Sequence, residues 1–143
     1  MLMIRRWFWP ALALLLLAVP VLAAGTAEKE KAALLAAEKW LGLVDDEEKV
    51  TESWRESADF FRKAVTLQQL QQSMAAIRRP LGAVVARKMK TKTYRTTLPG
   101  APDGEYVVFE FETSFKNKKS ATETVTPMLE NDGRWRVSGY YIK

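Results

Sequence analysis

Hydrophobic and polar residues follow two different periods along this chain, and the change between them falls near Gly82. Before Gly82, apolar residues recur every three to four positions, as they do on one face of an α-helix. After Gly82, they alternate with polar residues in a period of two, which is typical of half-buried strands. The pattern therefore predicts helices in the first part of the chain and a β-sheet in the second.

The helical period begins with a long helix and continues with a short one. The long helix is predicted from about residue 27 to residue 44, with Thr26 as its N-cap and Trp40 on its buried face. The acidic residues 45–48 indicate the start of a second helix, because negative charge is favoured at a helix N-terminus. Trp54 would lie on the inner face of that helix.

Two further helices are predicted before the sheet. The third helix is predicted over residues 58–64 with Ser57 as its N-cap, and Thr66 with Gln69 has the spacing of a capping box for the fourth. Pro80 should end the fourth helix at or before residue 79, and Arg78 in its last turn has a sufficient explanation as a helix-end cation. The buried stripe of this helix is expected to contain Leu67, Leu70, Met74 and Ile77.

Four strands are predicted after Gly82, namely residues 83–97, 106–115, 120–130 and 134–142. Turn dipeptides rich in Pro, Gly, Asn and Asp separate them, and Pro127 favours a strand end, a bulge or an edge. Helices followed by consecutive hairpin-connected strands predict an α+β fold, in which N-terminal helices pack on a curved four-stranded antiparallel meander sheet.

Counting by twos assigns each strand residue to one face of the sheet. Val107, Phe109 and Phe111 are expected to point into the core. Tyr94 and Tyr140 fall on the polar positions of their strands, which favours them as the lining of a groove, while Tyr141 falls with the core residues of the last strand. The lysines expected to share one solvated face, opposite Glu110 and Glu112, are Lys88, Lys90 and Lys92.

The first two dozen residues have the composition of a targeting segment. Arg5 and Arg6 precede an uncharged run rich in Leu and Ala, Pro20 breaks this run, and small residues lead to a cleavage site after Ala23. We therefore predict a signal peptide at residues 1–23 and a single α+β domain at 24–143. The protein would be exported, periplasmic or secreted, with no stable membrane anchor after cleavage. The alternative is an uncleaved anchor, although the apolar run is short for a membrane span.

Charge and composition exclude several kinds of chemistry. Loss of Arg5 and Arg6 lowers the net charge of the chain from +5 to +3, which is too small to indicate a nucleic-acid partner. The chain has no histidine and no cysteine, which excludes His-containing triads, Cys-His pairs and ordinary zinc sites. No cofactor is expected, because glycines occur singly and never form a phosphate-binding loop.

Glu123 is the strongest candidate for chemistry. Its parity places it with Val125 on the inner face of the third strand, where apolar surroundings would raise the pKa of a carboxyl group and allow acid or base catalysis. The alternative is an ion pair with Arg87 or Arg136 across the sheet. The residues expected to line a ligand site are Glu123, Arg87, Tyr94 and Tyr140.

The order of elements resembles that of the nuclear transport factor 2-like, or cystatin-like, superfamily. Residues 79–82, 98–108, 123–126 and 133–141 are together similar to the bacterial domain-of-unknown-function family 4019, and the resemblance extends from about Ala33 to the end of the chain. It implies a small exported bacterial protein without an established activity, and it implies no site residues.

Three functions are compatible with these features. The first is a non-enzymatic binding module of the cell envelope, which would use the concavity between helices and sheet for a small apolar or amphipathic ligand or for an envelope protein. The second is a cofactor-independent isomerase or hydrolase with Glu123 as general base. The third is a structural homodimer formed by sheets that pack face to face.

Overall fold

The structure, a computed structural model, describes residues 21–143. Its helices are α1 (Val21–Val44), α2 (Val50–Glu56), α3 (Asp59–Ala64) and α4 (Leu67–Ser73). A 3-10 turn (Glu47–Lys49) precedes α2, and a π-helical turn (Met74–Arg78) and a 3-10 turn (Arg79–Leu81) follow α4. The strands are β1 (Val84–Arg95), β2 (Tyr106–Phe115), β3 (Lys118–Leu129) and β4 (Trp135–Ile142).

The four strands form one antiparallel sheet in the order β1-β2-β3-β4. Helix α1 crosses this sheet and contacts all four strands, while α3 contacts β4. The predicted α+β fold, with N-terminal helices packed on an antiparallel meander, is therefore confirmed. The predicted signal peptide lies outside the described residues, except for residues 21–23 at the start of α1. No helix in the described part of the chain is long and apolar enough to cross a membrane.

Trp40 joins the helices to the sheet at the centre of the core. Its side chain is buried, as predicted, and its indole N–H donates to the carbonyl of Ser53 at 3.0 Å and to Ser57 Oγ at 2.9 Å. Its ring makes edge contacts with Phe61 and Tyr140, with centroids 6.2 and 5.0 Å apart. The core between α1 and the sheet consists of Ala33, Ala37, Trp40, Leu41, Val44, Val107, Phe109, Phe111, Val125 and Val137.

The predicted helix starts have different outcomes. The capping box at Thr66 is confirmed, because the Thr66 hydroxyl accepts from the Gln69 N–H and the Gln69 side chain accepts from the Thr66 N–H. The acidic run does start a helical segment, with Asp46 as the cap of the 3-10 turn that leads into α2. The predicted cap at Thr26 is wrong, since α1 is already helical before that residue.

A π-helical turn changes the face that α4 and its extension bury. The N–H of Arg79 bonds to the carbonyl of Met74, five residues earlier, so this turn holds one residue more than an α-helical turn. Side chains beyond the turn are rotated accordingly. Ile77, which was predicted to be buried, is 56% exposed, and Arg78 is only 6% exposed. Helical backbone also continues past the predicted end, because Pro80 lies within a 3-10 turn.

A bulge in β4 places the last residues of this strand on the opposite side of the sheet from the one predicted. Val125 pairs with Tyr140 and Pro127 pairs with Val137, so four residues of β4 lie opposite three of β3. Of the three alternatives predicted at Pro127, a strand end, a bulge or an edge, the structure shows the bulge. Tyr140 consequently lies on the same side of the sheet as the buried Val125, and Tyr141 is 50% exposed. The predicted faces of these two tyrosines are therefore wrong.

A second bulge, in β1, also changes which side of the sheet the later residues of that strand face. The register shifts between Met89 and Thr91, after which Lys92 pairs with Phe109 and Tyr94 with Val107, both core residues of β2. Lys92 therefore leaves the face of Lys88 and forms an ion pair with Glu30 of α1 at 2.9 Å. The prediction that all three lysines share one solvated face is wrong for Lys92, and Tyr94 also lies on the core side.

Candidate functional site

Four charged side chains meet at one end of the helix–sheet interface and form what we call the ionic cluster. Asp45 follows the end of α1, Arg78 ends the π-helical turn, Arg87 lies on β1 and Glu123 lies on β3. Arg87 pairs with Thr113 in the sheet register, and Glu123 pairs with Phe111, so both side chains lie on the core face. The sheet thus brings the cation of an edge strand to the carboxylate of an inner strand.

Arg87 is the centre of the ionic cluster. Its Nε and Nη2 atoms donate to the two carboxylate oxygens of Glu123 at 2.8 and 3.2 Å. Its Nη1 and Nη2 atoms donate to the two oxygens of Asp45 at 2.8 and 3.0 Å. Burial alone would lower the pKa of Arg87, but the hydrogen bonds to Asp45 and Glu123 outweigh it and raise this pKa above its usual value. The guanidinium therefore stays charged between two carboxylates.

The carboxylate of Glu123 is fully buried and fully engaged. Besides the two bonds from Arg87, it accepts from Thr113 Oγ1 at 2.5 Å and from the Tyr140 hydroxyl. A carboxylate has about four lone-pair sites, and these four donors occupy them. The ion pair with Arg87 is thus formed, whereas Arg136 pairs with Glu130 and Asp132 elsewhere. This saturation leaves Glu123 no free position for a substrate proton.

Tyr140 is held in its neutral form by its surroundings. Burial disfavours the phenolate, and the negative charge of Glu123 and its hydrogen bond add to this effect, so the pKa of Tyr140 is raised well above its usual value. The hydroxyl therefore serves as a donor to Glu123 over the whole neutral range.

Tyr140→Phe should make unfolding less sensitive to alkaline pH. The pKa of such a phenol is higher in the folded protein than in the unfolded chain. It therefore contributes stability that is complete below about pH 10, and this stability declines above that pH by up to about 1.4 kcal/mol per pH unit. The pKa values of Tyr94 and Tyr106 are raised as well, so the decline should become shallower in the variant rather than vanish. Urea unfolding between about pH 8 and 11 measures both slopes, and equal slopes would contradict the assignment.

Arg78 connects the ionic cluster to the helices. Its Nη2 atom donates to Asp45 Oδ1 at 3.1 Å, its Nη1 atom donates to the carbonyl of Gly82 at 2.6 Å, and its guanidinium lies 4.5 Å from the ring centroid of Phe115. From their positions in the sequence, Arg78 and Asp45 were predicted only as charges at helix ends. The complementary charges of residues 45–48 and 78–79 are the one sequence signal that indicates their contact.

A pocket of about 470 Å³ opens beside the ionic cluster, between α2 and the π-helical turn, and we call it the helical pocket. Its charged groups are two ion pairs, Asp45 with Arg78 and Glu47 with Arg79, the second at 3.1 Å. Its uncharged lining residues are Val44, Val50, Thr51, Gln71, Met74, Ala75, Gly82 and Ala83.

The four predicted site residues do not form a single open site. Glu123, Arg87 and Tyr140 come together, but Tyr94 lies apart and donates to Glu105, which also binds Lys29. None of the four lines the helical pocket. The concavity expected between α1 and the sheet is filled by core side chains. Within residues 21–143, no group of three or more acidic, histidine or cysteine side chains could hold a metal ion.

The fold and the site define a small α+β domain, in which a closed ionic cluster supports a pocket among the helices. A family model described as protein of unknown function (DUF4019) matches residues 36–140, and the chain belongs to this family. The match includes the whole ionic cluster and the whole helical pocket. The comparisons with curated proteins and with solved structures found no match, and the similarity to nuclear transport factor 2-like domains stays a prediction.

Proposed function

We propose that this protein is an exported, non-enzymatic binding module of the bacterial cell envelope, and that the helical pocket holds a small, uncharged amphipathic molecule. The observation that carries the proposal is the pocket itself, with its mixed lining of apolar and polar side chains. Its volume of about 470 Å³ lies within the range of about 300–1,000 Å³ that is usual for small-molecule sites.

The charges of the helical pocket indicate an uncharged ligand. Asp45 is already paired with Arg78 and Glu47 with Arg79, so the lining offers no surplus of either sign. A charged ligand would lose its hydration in the pocket without gaining a free counter-charge. The polar groups that remain for a neutral ligand are Thr51 and Gln71, whose side chains lie 3.3 Å apart.

The helical pocket also offers apolar side chains that can contact the apolar part of the ligand. Among the lining residues of the pocket, Val44 and Val50 are buried and Met74 is partly buried. Methionine adapts to ligands of irregular shape because its side chain is unbranched and flexible. The ionic cluster holds Asp45 and Arg78 in place behind these residues, so the pocket is formed before a ligand enters, which lowers the cost of binding.

The alternative functions have less support. General-base catalysis by Glu123 requires a free carboxylate beside a pocket, whereas this carboxylate is saturated by four donors and does not line the helical pocket. A structural homodimer stays a prediction.

Ala75→Phe should block the helical pocket and reduce ligand binding at least tenfold, which corresponds to about 1.4 kcal/mol. Ala75 lines this pocket, whereas its exposed neighbour Ala76 does not, so Ala76→Phe is a matched control that should bind normally. Octyl glucoside, an uncharged amphiphile, is a suitable probe below its micelle concentration, with octanoate and octylamine as charged counterparts. Isothermal titration calorimetry gives the affinities.

Native mass spectrometry of the protein purified from its bacterial host provides an independent test. The wild type and Ala76→Phe should retain a co-purifying molecule that Ala75→Phe lacks. Equal binding by both variants, or tighter binding of a charged probe than of octyl glucoside, would contradict the proposed site. Absence of any bound molecule together with absence of probe binding would overturn the binding function.

A further inference from the structure

We propose that a second surface of the protein, the arginine groove between α1 and the start of β4, binds an acidic peptide segment of a partner protein through one apolar side chain and adjacent carboxylates. The groove consists of two adjoining cavities of about 490 and 230 Å³, and both are lined by Glu56, Arg134 and Arg136. The larger cavity is almost wholly polar, and the smaller one is partly apolar.

Positive charge predominates in the arginine groove. Five cations and three carboxylates line the two cavities. Arg136 is neutralised by Glu130 and Asp132, at 2.7 and 2.8 Å. Within residues 21–143, the guanidinium groups of Arg55 and Arg134 make no hydrogen bond or ion pair, and the guanidinium of Arg134 acts on Asp132 only through its charge. These two guanidinium groups are therefore available to carboxylates of a partner.

The turn that carries Arg134 is rigid. Gly133 has a positive φ of 80°, which suits a glycine, and the N–H of Arg134 donates to Asp132 Oδ1 at 3.0 Å. Arg136 holds both oxygens of Asp132, at 3.0 and 2.8 Å. The hydrogen bonds from Arg136 and from the Arg134 N–H lower the pKa of Asp132 to about 2, so the turn keeps this arrangement at every physiological pH.

Large apolar side chains lie at the other end of the groove. Leu35 of α1 is 63% exposed, and Leu43 and Trp135 are partly exposed beside it. Trp135 is only partly buried, and its indole N–H donates to no residue of the described chain, so this polar group is available to a partner. Tryptophan and arginine are the residues that most often dominate protein–protein binding energy. An apolar anchor next to free arginines is thus suited to a partner protein.

The dimensions of the groove favour a peptide over a lipid. The apolar cavity of about 230 Å³ is smaller than the lower limit of about 300 Å³ for drug-sized ligands, so it has room for a side chain and not for an acyl chain. The arginine cavity is open to solvent alongside it and can take carboxylates that follow in the same extended segment. The segment would combine one leucine-sized residue with neighbouring Asp or Glu.

A fluorescent peptide that contains Leu-Asp-Glu in a Gly/Ser background tests this site with the purified protein. The double variant Arg55→Ala/Arg134→Ala should weaken binding at least tenfold, measured by fluorescence anisotropy at low salt. Lys90→Ala/Arg95→Ala is the matched control, because it removes the same charge from exposed residues of β1 without known partners among the described residues. The control and Ala75→Phe should both bind like the wild type.

Changes to the peptide and to the apolar cavity complete the test. The Leu-Asn-Gln peptide and the Ser-Asp-Glu peptide should each bind more weakly than the parent, and Leu35→Ser should remove only the leucine preference. Equal loss in the two double variants would mean that net charge alone acts, and would overturn the proposal. Absence of peptide binding would also overturn the proposal. So would binding to vesicles of equimolar phosphatidylglycerol and phosphatidylcholine that depends on Arg55 and Arg134, if the peptide itself does not bind.

Discussion

Arg87→Leu is expected to lower the free energy of unfolding by about 3–5 kcal/mol, because it leaves buried carboxylates without their shared cation. Glu123 is fully buried and would keep only the donors Thr113 and Tyr140. Asp45 would still be paired with Arg78, so most of the lost stability should come from the unpaired carboxylate of Glu123. Urea unfolding at neutral pH, monitored by tryptophan fluorescence, measures the effect.

Two further variants separate this effect from the simple loss of a large side chain. Arg95→Leu removes an exposed arginine from the same strand and should change stability by less than about 0.5 kcal/mol. Arg87→Leu/Glu123→Leu removes the unpaired carboxylate together with its partner, so it should be more stable than Arg87→Leu alone. An Arg87→Leu cost below about 1 kcal/mol, or a double variant less stable than the single one, would refute the assigned role of the ion pair.

Trp40→Ala is the second replacement expected to have a large effect, with a cost of about 3–5 kcal/mol from the cavity and the lost burial. Trp40 touches Phe61 and Tyr140 and also holds α2 through its two hydrogen bonds to Ser53 and Ser57. Trp40→Phe retains most of the apolar contact but leaves these acceptors without the indole donor, so it should cost less, about 1–3 kcal/mol.

Leu35→Ala provides the comparison on the same helix, because Leu35 is 63% exposed and its truncation leaves no internal cavity. Its cost should stay within about 0.5 kcal/mol. Thermal and urea unfolding of the three variants should therefore rank Trp40→Ala as the least stable and Leu35→Ala as close to the wild type. Equal stability of Trp40→Ala and Leu35→Ala would show that Trp40 does not connect the helices to the sheet.

The helix and strand pattern was predictable because it depends on local periodicity. The strand period identified β2 with its core residues Val107, Phe109 and Phe111, and the capping residues identified the start of α4 at Thr66. Both signals lie within a few residues of the structure that they predict. The order of elements then led to the α+β fold, whereas the resemblance to the family rests on the stretches 79–82, 98–108, 123–126 and 133–141.

The faces of three segments were not predictable, because each contains one extra residue in its repeat. The π-helical turn exchanges Ile77 for Arg78 at the core, and the bulges of β4 and β1 bring Tyr140 and Tyr94 to the core side. Adding one residue rotates every side chain that follows to another face. Only the bulge next to Pro127 has a local sequence signal.

The residues of the candidate sites likewise divide into those that the sequence indicated and those that it did not. Strand parity placed Glu123 on the inner face, and Arg87 was one of the two arginines suggested as its partner across the sheet. Arg78 and Asp45 are 33 residues apart, and their contact depends on the path of the helices over the sheet. The helical pocket and the arginine groove arise from the same packing, because each joins residues from separate elements.

By itself, the sequence of this protein determined which segments are helices and strands and their antiparallel order, because apolar periodicity, caps and turns act over short distances. Its resemblance to known sequences indicated the family. The tertiary structure decided which side chains face the core, how Asp45, Arg78, Arg87 and Glu123 share their charges, and where pockets open. These features depend on single-residue shifts in register and on contacts between distant segments, and both are settled only when helices and sheet pack together.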